Sequence, residues 1–130
     1  MQRSTNGLLM TVLILAGQSR MGTADEPLFV SKPLTPPKQF TQGIEGPACD
    51  ADGNIFAVNF GQQSTIGRVT PQGEGEVFVT LLNGSVGNGI RFDRKGMMYV
   101  ADYVNHNVLR IDPKTRKIEV LAHHGEMNQP

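Results

Sequence analysis

The sequence predicts an all-β fold: two consecutive four-stranded antiparallel units of the β-propeller blade kind. Three observations carry this. From Glu45 onward the chain repeats itself with a period of 43 residues, and each copy places a tight Asp-x-x-Gly turn between short apolar runs. Gly and Pro, at 15 and 8 of 130 residues, also fall where the helices of a helical solenoid of similar period would have to run.

The first copy opens Glu45-Gly46-Pro47-Ala48-Cys49-Asp50-Ala51-Asp52-Gly53-Asn54-Ile55-Phe56, and the second opens Asn88-Gly89-Ile90-Arg91-Phe92-Asp93-Arg94-Lys95-Gly96-Met97-Met98-Tyr99. At an offset of 43, Gly46 meets Gly89, Asp50 meets Asp93, Gly53 meets Gly96 and Phe56 meets Tyr99. One-residue slips in loops then bring Arg68 onto Arg110 and Pro71 onto Pro113 at 42, and Val77 onto Ile118 at 41. Within copy one the apolar runs lie near 47–50, 54–60, 66–70 and 76–81; within copy two they lie near 89–93, 97–102, 107–112 and 116–121. Asp50–Gly53 and Asp93–Gly96 are the turns between first and second strands, since Asp hydrogen-bonds its own backbone and Gly accepts positive φ. Thr70-Pro71-Gln72-Gly73 and Asp112-Pro113-Lys114-Thr115 separate third from fourth strands. Four strands in about 40–45 residues is the size of a propeller blade. The expected boundaries are blade one over about 45–87 and blade two over about 88–130, within a partial propeller spanning 41–130.

The N-terminal segment differs. Arg3 precedes the apolar run Leu8–Ala16, which is followed by small and polar residues ending Gly22-Thr23-Ala24. A basic start, a short apolar stretch and a small-x-small exit predict a signal peptide over 1–24, with cleavage after Ala24 and Ala16 as the alternative site. A helical run of nine residues, at about 1.5 Å each, cannot cross a hydrocarbon core about 30 Å thick, so no stable membrane span is expected. The chain is thus expected to be exported, to a periplasm or outside the cell. Residues 25–40 hold Pro27, Pro33, Pro36 and Pro37 and are expected to run extended over the surface, with Leu28-Phe29-Val30 available as one edge strand.

Charge excludes some functions. Twelve Lys and Arg balance twelve Asp and Glu, and removal of residues 1–24 with Arg3 and Arg20 leaves a net charge of −2. Neither value supports binding to nucleic acid or to an anionic membrane surface. The single cysteine, Cys49, excludes an intrachain disulfide framework and a thiolate zinc cluster; aligned with Phe92, it is expected as a small buried apolar residue.

Gly43-Ile44-Glu45-Gly46-Pro47-Ala48 with Asp52-Gly53-Asn54, and Asn88-Gly89-Ile90-Arg91-Phe92-Asp93 running on to Tyr99-Val100-Ala101-Asp102, resemble the SMP-30/gluconolactonase/LRE-like family over residues 39–130. The resemblance implies a six-bladed propeller with one divalent cation on its axis, most simply Ca²⁺, with Zn²⁺, Mg²⁺ and Mn²⁺ as alternatives. It also implies hydrolysis of small-molecule lactones or related esters, and in some members of organophosphate bonds. Of the family's oxygen ligands only Glu45 has a counterpart here, as the metal ligand, and a carboxylate is a hard anionic donor suited to such an ion. Asn88 holds the repeat-equivalent place and is expected at the channel rim, touching substrate or water. The remaining ligands would follow Pro130, so the chain is expected to be an N-terminal fragment, inactive by itself. Read without the resemblance, Glu45 is equally a solvated loop carboxylate or a turn cap. A non-catalytic binding platform of the NHL-repeat type is the alternative function, since Asn107-Val108-Leu109-Arg110-Ile111-Asp112 resembles that repeat.

Other polar groups read as structural. Asp50-x-Asp52-x-Asn54 has Gly at the fourth position rather than the sixth, and Gly61 at the twelfth, so it is a hairpin turn and not a calcium loop. His123 and His124 are expected as a solvated loop pair and His106 as a surface or packing residue. Asn83-Gly84-Ser85 matches a glycosylation sequon, Met97 and Met98 read as core, and Asp102 either lines a channel or caps a turn.

Overall fold

The structure, a computed structural model, describes residues 29–127. The chain divides into two units, 1–31 and 32–130. The signal peptide expected over 1–24 lies outside the described residues.

The second unit is all-β, with no helix among the described residues. Its eight strands are β1 (Ala48–Cys49), β2 (Ile55–Val58), β3 (Thr65–Val69), β4 (Gly75–Thr80), β5 (Gly87–Phe92), β6 (Met98–Asp102), β7 (Asn107–Ile111) and β8 (Ile118–His123). They form two four-stranded antiparallel sheets in sequence order, β1-β2-β3-β4 and β5-β6-β7-β8. Each sheet therefore matches one copy of the repeat.

The repeated turns form as their chemistry requires. Asp50 Oδ1 accepts the backbone N–H groups of Asp52 and Asn54, at 3.0 and 2.9 Å. Asp93 Oδ1 accepts those of Lys95 and Met97, at 2.8 and 2.9 Å. Gly53 and Gly96 close the two turns at φ +81° and +80°. The Asp50-x-Asp52-x-Asn54 motif is thus a hairpin turn held by its own carboxylate.

Strand alternation then builds the core. Phe56, Val58 and Ile66 from the first sheet join Ile90, Met98, Val100, Leu109 and Ile111 from the second in one buried cluster. Phe56 sits at its centre, edge-on to Phe78 at 5.1 Å and tilted against Phe92 across the sheets at 5.2 Å. Side chains of this size, fully buried, each contribute about 1.5–3 kcal/mol relative to exposure.

The opposite face of the first sheet is covered by the chain's own lead-in. Phe40 bridges to Phe60 and stacks edge-to-face on its ring at 5.0 Å, while Gly61 N–H bonds Gln39 O at 2.7 Å. Gly67 leaves the space that the Phe60 ring fills, since a Cβ there would collide with Phe60.

Three sequence expectations need correction. Phe29 and Val30 form no strand: Phe29 has φ +72°, incompatible with an extended strand, and is fully exposed, while Leu28 lies outside the described residues. Cys49 is exposed rather than buried, because in the two-residue strand β1 its neighbour Ala48 takes the inward position against the core. His123 ends strand β8 rather than sitting in a loop; His124 alone follows it. Of the methionines, Met98 is fully buried and Met97 half-buried.

Candidate functional site

Glu45 and Asn88, 43 residues apart in sequence, line one cavity of about 180 Å³ together with Asn59 and Tyr103. Their approach has a backbone cause. Gly46, at φ +55°, packs so closely on the Asn88–Gly89 backbone that a Cβ at this position would collide with the Asn88 carbonyl oxygen. Only glycine satisfies both the left-handed conformation and that contact. The Gly in Glu45-Gly46 thereby sets the first copy's Glu beside the second copy's Asn. Glu45 is exposed and its carbonyl accepts the Val58 N–H at 3.5 Å; Asn88 is half-buried on β5.

Asn59, just beyond β2, is the residue that the sequence reading passed over. It is buried, at 3% exposure, and holds φ +63°. Its N–H bonds Thr65 O at 2.8 Å, its carbonyl accepts Thr41 N–H at 2.9 Å, and its Nδ2 donates to Gly43 O at 2.9 Å. Asn59 thus ties the segment preceding Glu45 to the first sheet. Its side-chain Oδ1 is buried with no hydrogen-bond partner, a state that ordinarily costs about 1–3 kcal/mol. The signal that could have found it was present in the repeat: Asn59 is the counterpart of Asp102 at the offset of 43.

Asp102 shows what that position does when fully satisfied. Completely buried, it accepts hydrogen bonds from Ser85 Oγ at 2.6 Å, Asn107 Nδ2 at 2.8 Å, and the N–H groups of Val86 and Asn105, each at 3.2 Å. Burial acts to raise its pKa, but these donors together outweigh it and hold the carboxyl below its ordinary value. Of the two sequence readings, capping is the one these bonds describe. Asp102 fixes the loop that carries Tyr103 onto the cavity and secures Ser85. Ser85, the third residue of the glycosylation sequon, is itself buried.

The side-chain oxygens around the cavity are one carboxylate, from Glu45, the amides of Gln42, Asn59, Gln63 and Asn88, and the Tyr103 hydroxyl. This set suits a hard divalent cation better than a soft one. It is a partial set, and among the described residues no group of three or more His, Cys, Asp or Glu side chains could hold a metal ion. Among the described residues no helix is long and apolar enough to cross a membrane. Compared with known proteins, the chain matches no family model and no curated protein.

Proposed function

We propose that the two sheets are blades of a larger propeller and that the Glu45–Asn88 cavity is part of a metal-dependent site for hydrolysis of small lactones or related esters. The observation that carries this reading is the meeting of Glu45 with the amides of Asn59 and Asn88, among four that line the cavity, the Asn59 oxygen being buried and unpartnered. Glu45 would hold the cation, with the Asn59 Oδ1 as a neutral oxygen donor. Asn88 would orient the substrate at the rim. Bound there, a divalent cation such as Ca²⁺ supplies Lewis-acid polarisation of the ester carbonyl. Tyr103, exposed at the cavity on the loop fixed by Asp102, offers substrate an aromatic wall. The cavity draws one carboxylate from the described residues, so further oxygen donors are required for activity, and the chain by itself is inactive.

The test is an aldonolactone hydrolysis assay, with and without Ca²⁺, on the protein in which this chain is joined by the remaining donors. Hydrolysis should require the metal and fall at least about 100-fold in Glu45→Gln, as expected when an electrostatic stabiliser of the transition state is lost. Metal-independent turnover, or turnover unaffected by Glu45→Gln, contradicts the reading. Complete inactivity of that protein favours the non-catalytic platform.

A further inference from the structure

A second cavity, of about 600 Å³, lies along β7 and β8 and is lined by His106 and His123 among apolar side chains that include Leu109 and Val120. Their placement in one cavity is not what strand alternation gives. His123 pairs with Asn107, and His124 N–H bonds His106 O, so an extended chain would send His106 and His123 to opposite faces. His106 instead adopts φ +54°, a left-handed conformation uncommon for a residue other than glycine, and lines the same cavity.

The hydrogen bonds fix the tautomers. His106 Nδ1 lies 2.5 Å from Met127 O, and His123 Nδ1 lies 3.1 Å from Asn105 O and 2.9 Å from Asn107 Oδ1. A backbone carbonyl can only accept, so in both rings Nδ1 carries the proton and the neutral imidazole keeps its lone pair on Nε2. Donation of the other ring N–H to a carbonyl is the arrangement by which proteins orient metal-binding histidines. His124 is the contrast: its Nδ1 accepts the Glu126 N–H at 3.2 Å, which leaves the proton on Nε2.

We propose that His106 and His123 form a two-imidazole site for a transition-metal ion of the Zn²⁺, Ni²⁺ or Cu²⁺ class, bound through the two Nε2 atoms, with the remaining coordination positions left to water or to an exogenous ligand in the cavity. Nitrogen donors select such ions over Ca²⁺, so this site differs in chemistry as well as in place from the Glu45 cavity.

Calorimetric titration of the whole chain with Zn²⁺ tests it. One ion binds per chain; His106→Gln and His123→Gln each weaken binding at least about tenfold, and His124→Gln leaves it unchanged. In the wild type, the Nε2 nitrogen resonances of His106 and His123 shift on addition of Zn²⁺ while that of His124 does not, a readout that needs no substituted chain to fold. Absence of saturable binding overturns the proposal. So does binding that survives either His106→Gln or His123→Gln, that is lost equally in His124→Gln, or that falls with Glu45→Gln instead.

Discussion

At the scale of single residues, most of the unusual chemistry lies at positions where the two repeats correspond. Asp102 ends β6 and Asn59 directly follows β2 at the equivalent repeat position, yet one is a saturated buried carboxylate and the other a buried amide with a free oxygen. Asp102→Ala leaves the Ser85 hydroxyl, the Asn107 amide and two backbone N–H groups without an acceptor. It should cost at least about 3 kcal/mol in urea denaturation, with Asp102→Asn costing less. Protonation works in the same direction. Asp93, chiefly through the hydrogen bond from the Met97 N–H, is also held below the ordinary Asp value of 3.8, as is Asp102. The stability these groups confer is complete above that value and is lost as pH falls through their depressed folded-state values, so the urea midpoint should drop below about pH 4. A midpoint flat from pH 6 to pH 3 would contradict this. Gly46→Ala should both destabilise the chain, by about 1–3 kcal/mol, and separate Glu45 from Asn88. The equivalent places of Glu45 and Asn88 were legible because they open the two copies; that they share one cavity was not. Asn59 was not, because an Asn after a strand reads as an ordinary turn residue until its burial is seen.

At the scale of elements, every strand of the two repeats was legible, since Asp-x-x-Gly turns and alternating apolar residues are local signals. The exception in detail is β1, whose two residues were too few to show which side of Cys49 would face inward. The lead-in, expected to run extended, instead bends at residues 34–35 and turns at 37–38, with Lys38 at φ +67°, and its role as a cover was not legible. Its packing depends on Phe40 meeting Phe60 over Gly67, a contact between segments whose sequences give no periodic sign of each other. Phe60→Ala should expose the face of the first sheet that the lead-in covers and lower stability by about 1–3 kcal/mol, since Phe60 is half-buried, measurable by thermal or urea unfolding. Gly67→Val should do so as well, by driving Phe60 away.

At the scale of the whole described unit, the sheets pack as successive copies of one repeat. Phe56 and Val58 of the first sheet face the second, and their counterparts Tyr99 and Ala101 alternate with the buried Met98 and Val100 on the second sheet's opposite face. The same face of each repeat thus points onward, an arrangement compatible with propeller blades, while the lead-in covers the face that points back. On the function proposed above, Glu45 holds a hard cation beside Tyr103, one of two tyrosines in a chain without tryptophan. Terbium, a luminescent substitute for Ca²⁺, reads this directly when excited through tyrosine. The wild-type chain should give saturable emission, at concentrations up to the 10⁻⁴–10⁻³ M or so typical of weak extracellular calcium sites, displaced by Ca²⁺. The emission should be lost in Glu45→Gln and Tyr103→Phe and kept in Tyr99→Phe. No saturable emission from the wild type, or emission unchanged by Glu45→Gln, would contradict it.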